Sequence, residues 1–254
     1  MSASGVELWI PGPWKYRSDF IRAIAEADSG VLAAGGMLAD AKSRCHAGFE
    51  VLERNGSLTR EMHIGSGRAL DRETLEAIDG HNTIASVTIA DTGEGLDERL
   101  GVFAGAVRAA GGIAVKVHKS GLSHGWDRWE QQLASDMPAG LFRLLVVQVP
   151  DREQGVLSSF GMKQFALPDG SIEDDGSDVE PAWSLFEFNV YVWGQQPHLE
   201  NGHTFSRAGG DAVRYRLKLG ADRRYPEGHP YFNPHGVWEL TSAYQCRTQT
   251  RSER

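Results

Sequence analysis

The stretch TIASVTIADTGEGLDERLGVFAGAVRAAGGIAVKVH, residues 83–118, carries the fold class. Thr83 to Ala90 is rich in β-branched residues and reads as a strand. Asp91-Thr92-Gly93 breaks it. From Glu94 to Ala110, Leu96, Leu100, Phe103 and Val107 recur at helical spacing, so this segment reads as a helix with one buried face. Gly111-Gly112 stops that helix. Ile113, Val115 and Val117 then alternate with Ala114, Lys116 and His118, as in a strand.

Working outward, the same texture continues on both sides. A helix carrying Trp126, Trp129 and Leu133 follows, and Phe142 to Val149 is so apolar that it reads as a central strand buried on both faces. Upstream, Val6 to Ile10 reads as a strand and Arg17 to Ala27 as a helix burying Phe20, Ile21 and Ile24. Gly30 to Ala34 and Cys45 to Arg54 read as further strands. Asp71 to Ile78 reads as a helix with Asp71 as N-cap, while residues 57–70 give no clear pattern. The β–α–β–α–β order from Thr83 to Val149 argues for helices layered on a sheet.

The texture changes after Pro150. Asp169 to Glu180 is rich in Gly, Asp and Ser and reads as a mobile acidic loop. Pro181 to Trp193 fits a helix, with Pro181 at its start, and a strand equally well. Val213 to Leu219 alternates as a strand, Tyr225 to Gly236 is a Pro/Gly/His-rich loop, and Val237 to Ala243 reads as a last strand. The expectation is an α+β fold: a layered mixed β-sheet with packed helices, in one unit or two subdomains. Residues 1–150 form an N-terminal α/β-type region, residues 151–247 a C-terminal α+β region, and residues 248–254 a frayed tail.

The chain has 254 residues, 41% hydrophobic and 24% charged, which suits a folded domain and excludes a disordered chain. Its formal net charge is -8, a poor match for nucleic acid and a good one for a basic partner. The local run Arg214, Arg216, Lys218, Arg223 and Arg224 reads as a solvated strand face and turn. No signal peptide or membrane-spanning run is seen, so cytoplasmic residence is expected, without membrane association. Cys45 and Cys246 lack metal-type spacing and read as free thiols.

Three blocks together are familiar: Gly111-Gly112-Ile113-Ala114-Val115 with Trp126-Asp127-Arg128-Trp129 downstream, Phe160-Gly161-Met162-Lys163-Gln164-Phe165-Ala166-Leu167-Pro168-Asp169, and Leu199-Glu200-Asn201-Gly202-His203-Thr204. They resemble the bacterial domain of unknown function DUF4261 over roughly Thr83 to Leu219, with His203 departing from that pattern. The resemblance implies an α+β fold, a helix for Pro181 to Trp193, and no established enzyme chemistry. Some relatives lie near polymorphic toxins, which implies an immunity role.

Gly121-Leu122-Ser123-His124-Gly125 matches the G-x-S-x-G nucleophile elbow, which needs small residues two positions either side of the Ser. Trp126 then stands where the packed turn wants a small residue, so Ser123 as N-cap of the next helix is preferred. The alternative is a serine hydrolase using Ser123 with a downstream histidine such as His203. Lys116 and His118 share a strand face, and meeting His124 there would make a polar pocket. The pairs His198/His203 and His229/His235 lack zinc-type spacing, and no dinucleotide or phosphate-loop fingerprint occurs, so no metal or cofactor is expected. The preferred reading is a non-enzymatic immunity protein that neutralises a basic toxin domain by direct complex formation. Its expected contact residues are Trp126, Trp129, Asp174, Asp175, Asp178 and Glu180.

Overall fold

The computed structural model describes residues 5–90, 95–135, 138–174, 180–207 and 213–243. The chain divides into two units, Met1–Leu145 and Val146–Arg254.

The first unit runs β1 (Gly5–Gly12), α1 (Arg17–Glu26), β2 (Val31–Ala34), β3 (Met37–Asp40), β4 (His46–Glu53), α2 (Leu58–Gly65), α3 (Arg72–Asp79), β5 (Thr83–Ala90), α4 (Leu96–Ala109), β6 (Val115–Val117), β7 (Ser123–His124), α5 (Trp126–Leu133) and α6 (Ala139–Leu145). Its seven strands form one sheet in the order β2-β3-β4-β5-β1-β6-β7, antiparallel throughout. Because side chains alternate along a strand, Phe49, Val87 and Leu8 share one face, and Leu52, Ile84 and Trp9 share the other. α1 and α4 pack on the first face, where Phe20 meets Phe49 at 5.2 Å between ring centroids. On the second face α2 and α3 bury Leu58, Met62 and Ile78 against Ile84, with Trp9 and Leu52 beside them. The two strongest helix boundaries follow their expected chemistry. Asp71 caps α3 by accepting the Thr74 N–H at 2.7 Å. A Cβ on Gly112 would stand 2.7 Å from Ile10 Cγ2 and 2.9 Å from Val107 O, so only glycine lets the chain leave α4 so close to β1.

The second unit contains β8 (Val147–Asp151), β9 (Val156–Phe160), a 3-10 turn (Met162–Phe165), β10 (Asp169–Glu173), α7 (Glu180–Gln195), β11 (Thr204–Ser206), β12 (Arg214–Gly220) and β13 (Val237–Ser242). Six strands pair in the order β11-β12-β13-β10-β9-β8. All neighbours are antiparallel except β10 and β13, which run parallel from Asp169 opposite Val237. α7 lies on one face, with Leu185, Phe188 and Asn189 over Gly170 of β10.

Three expectations need correction, and two elements were not expected. Phe142 to Val149 is no central strand: α6 ends at Leu145 and β8 begins at Val147, at the edge of the second sheet. A short apolar run does not distinguish strand from buried helix, because both bury every residue. Ser123 is no N-cap. It lies in β7, and Gly125 takes the cap position of α5. The segment left open at 57–70 contains α2, and the hairpin partner β3 was not foreseen. Within the expected acidic loop, Asp169–Glu173 is strand β10, and residues 175–179 lie outside the described residues. The ambiguous segment 181–193 is helical, within α7.

The fit of α7 on β10 sets a measurable limit. A Cβ at Gly170 would come within 2.6 Å of Leu185 Cδ1 and 3.1 Å of Asn189 Oδ1. Both side chains are buried. Gly170→Ala is expected to cost about 1–3 kcal/mol by overpacking, read as a lower urea midpoint with an unchanged m-value.

Candidate binding groove on the second sheet

α7 covers only one face of the second sheet. The opposite face carries Val149 and Asp151 from β8, Val156, Ser158 and Phe160 from β9, Ser171 and Glu173 from β10, Lys218 from β12, and Glu239 and Thr241 from β13. These residues line a groove of about 1050 Å³. One wall is the β8–β9 turn. Asp151 Oδ1 accepts the Glu153 N–H at 3.0 Å and the Gln154 N–H at 3.1 Å, which folds that turn tightly. The other wall is the loop after β12, residues 221–225.

That second wall is held by one guanidinium. Arg224 Nε donates to Asp222 Oδ1 at 2.9 Å, Nη2 to Asp222 Oδ2 at 3.0 Å and to Asp169 Oδ2 at 2.8 Å, and Nη1 to Ser159 O at 3.0 Å. Its plane also lies 4.3 Å from the Phe160 ring centroid. Both carboxylates are buried, Asp169 with 1% of its side chain exposed. Burial pushes the Asp169 carboxyl up, against the pull of Arg224. Burial pushes Asp222 the same way, but the Arg224 bonds and the Asn233 N–H outweigh it and hold Asp222 below its ordinary value. The bidentate fork therefore serves Asp222 first. Arg224 itself, despite burial, is raised by the two carboxylates. It is thus no part of a solvated face, which corrects that expectation for this position.

Four other charges on the groove have no partner among the described residues. Arg152, Glu153 and Glu173 are exposed around the β8–β9 wall, and Arg223 is exposed on the opposite wall. Lys218 pairs with Glu239 at 3.1 Å. Tyr225, on the same wall as Arg224, stacks on His229 at 4.3 Å and meets Phe160 and Tyr231 edge-on. The groove thus offers unpaired charges of both signs above a floor of hydroxyl and apolar side chains. Among the described residues, no acid, base and nucleophile align in it.

The sequence-derived candidates fall elsewhere for the most part. Ser123 is 1% exposed, and its hydroxyl donates to Gly121 O at 3.5 Å rather than to a histidine. Ser123 pairs with Lys116 and His124 with Val115, so His124 points to the opposite face from Lys116 and His118. The expected three-residue pocket does not form. Instead Lys116 pairs with Glu61 and lies 5.1 Å over the Trp9 ring, and His118 stacks on Trp9 at 4.1 Å. Trp129 is 1% exposed beside His124, so it belongs to the core and not to a partner surface. Trp126 is half-buried, with its indole N–H on Gly112 O at 2.9 Å. His203 is exposed in the second unit, where its Nδ1 accepts the Glu200 N–H at 3.3 Å. His198 also turns to Glu200. Among the described residues no three potential ligands converge on a metal position.

Of the acidic candidates, Asp174 follows β10, with its N–H on Gly155 O at 2.8 Å in the β8–β9 turn. Glu180 opens α7 and pairs with Arg207 at 3.1 Å. Asp175 and Asp178 lie outside the described residues. Sequence reading missed Asp169, Asp222 and Phe160 as partners of Arg224. The only local signal was Asp222 two residues before Arg224, since Asp169 lies 55 positions away. Cys45 is a free thiol.

No family model matches this chain, nor does any curated protein or solved structure. Among the described residues no helix is long and apolar enough to cross a membrane.

Two outcomes follow from these geometries. Arg224→Ala strands two buried carboxylates and is expected to cost about 3–5 kcal/mol; Arg224→Lys, lacking the fork, recovers only part, as chemical denaturation will show. His124 is buried, and its Nε2 donates to Leu144 O at 3.0 Å, which leaves Nδ1 without a proton. Burial, and secondarily the Arg128 charge, lower its pKa to about 4, although the Leu144 bond works the other way. The unfolded chain, near 6.5, binds the proton first. His124 stabilisation is therefore full above about pH 6.5 and is lost as pH falls towards 4, up to about 3 kcal/mol. Stability measured across that range should fall with acid, and the slope should flatten in His124→Gln.

Proposed function

We propose that this chain is a non-enzymatic, cytoplasmic binding protein of the immunity type, which neutralises a toxin domain by covering it. The observation that carries this reading is the groove on the uncovered face of the second sheet. Arg152, Arg223, Glu153 and Glu173 stand unpaired around it, ready for charges on a partner loop. A sheet face without a covering helix suits such docking, because Arg152, Glu153, Glu173 and Arg223 already stand in solvent. The net charge of -8 favours a basic partner and speeds encounter with it. The DUF4261 resemblance agrees with an immunity role.

The test is co-expression with the product of the adjacent reading frame. Growth rescue and a salt-sensitive one-to-one complex are expected. Glu173→Lys with Arg223→Glu should weaken that complex at least tenfold, whereas Ser123→Ala should leave both rescue and affinity unchanged. Growth inhibition that persists despite co-expression, with no complex, overturns the reading.

A further inference from the structure

Strand β12 alternates between two surroundings. Tyr215 and Leu217 are buried. Tyr215 opposes Phe205, which meets Phe188 and Tyr191 of α7, so that side faces the helix. Arg214, Arg216 and Lys218 therefore stand on the other face, the one that carries the groove, and all three are exposed. Arg223 continues the row at the groove wall.

Such a row is unusual in this chain. Acidic residues outnumber basic ones by 34 to 26, and Arg22, Arg72, Arg108, Lys116 and Arg207 each pair with a carboxylate. Arg214 and Arg216 form no ion pair among the described residues. The nearest strands on that face carry Glu239, which Lys218 takes, and Glu173 on β10. Hydroxyls flank the two arginines instead. Arg216 lies between Thr204 of β11 and Thr241 of β13, and Arg214 lies opposite Ser206. All three hydroxyl side chains are exposed. Guanidinium forks flanked by hydroxyls offer a concentration of donors to an anionic oxygen.

We propose that this row binds an extended acidic peptide segment with carboxylates on alternate residues. Residues two apart on a strand are separated by about 6.6–6.8 Å, and an extended peptide repeats its own side chains at the same interval. A Glu-x-Glu segment thus sets one carboxylate on Arg214 and one on Arg216, each within reach of a two-bond fork. Adjacent carboxylates point to opposite sides of the segment, so only one of them can reach the row. Single-stranded nucleic acid fits this face less well, because it needs free rings for its bases to stack on. The two rings at the groove are engaged, Phe160 under Arg224 and Tyr225 on His229. This binding does not depend on the immunity reading, since any protein that presents such a segment would serve.

Fluorescence anisotropy of labelled, end-blocked peptides with the full chain at low salt is the test. The peptide (Glu-Ser)4 is expected to bind at least fivefold more tightly than (Glu-Glu-Ser-Ser)2, which has the same composition and charge. Arg214→Gln combined with Arg216→Gln is expected to weaken (Glu-Ser)4 at least tenfold. Both side chains are exposed and unpaired, so the thermal transition should stay in place. Arg72→Gln, on α3, should leave the affinity unchanged. Absence of binding overturns the inference, as does equal affinity for the two peptides. So does binding that survives the double substitution, or a thymidine oligonucleotide that binds the same row more tightly than (Glu-Ser)4.

Discussion

A single guanidinium, Arg224, holds the second unit in register. Its fork joins Asp222, two residues away, to Asp169 at the start of β10 and to the backbone of β9. Asp169 also accepts the Met162 N–H, and its own N–H reaches Gly236 O just before β13. The parallel pairing of β10 with β13 therefore begins where this network ends. Desolvating three charged groups is costly, and an apolar replacement could be equally stable. What the ions add is position, since only one register places both carboxylates on one fork. The block from Phe160 to Asp169 owes its character to this network: a glycine to enter the turn, a 3-10 turn, and an aspartate to receive the arginine.

The two units solve the same problem differently. The first sheet is covered by helices on both faces, although α2 and α3 reach only the end around Trp9 and Ile84. The second sheet has one long helix, α7, and leaves its other face to solvent. Polar chemistry gathers accordingly. In the first unit it is closed upon itself, with Lys116 on Glu61 and His118 on Trp9. In the second unit, Arg152, Glu153, Glu173 and Arg223 at the groove have no partner among the described residues. A binding role follows more readily from the second arrangement, because a paired and buried charge has nothing left to offer a ligand.

Local patterns foretold α4, α3 and β12, because each follows a regular period and is bounded by Gly or a capping Asp, while β5 was legible from its β-branched residues. The α+β class was legible for the same reason. Phe142 to Val149 misled because periodicity vanishes when every residue is apolar. The same continuous hydrophobicity serves a buried helix turn, α6, and then strand β8. The G-x-S-x-G spacing misled because it records backbone permissiveness around a serine and says nothing of exposure. The Arg224 network was illegible because its members are scattered along the chain and meet only after the sheet forms. Trp129 shows the general ambiguity of tryptophan, which serves cores and interfaces equally well until its burial is known.

The position of β1 has a consequence for biosynthesis. β1 is translated before both of its neighbours, β5 and β6, which come from beyond residue 82. The buried side chains of Val6, Leu8 and Ile10 must wait without a partner while the intervening chain is translated. Such late, non-local pairing slows folding and exposes nascent strands to wrong contacts. The nascent chain thus passes through a window in which a central, largely buried strand stands unpaired. A holdase acting near the tunnel exit would find its natural target there.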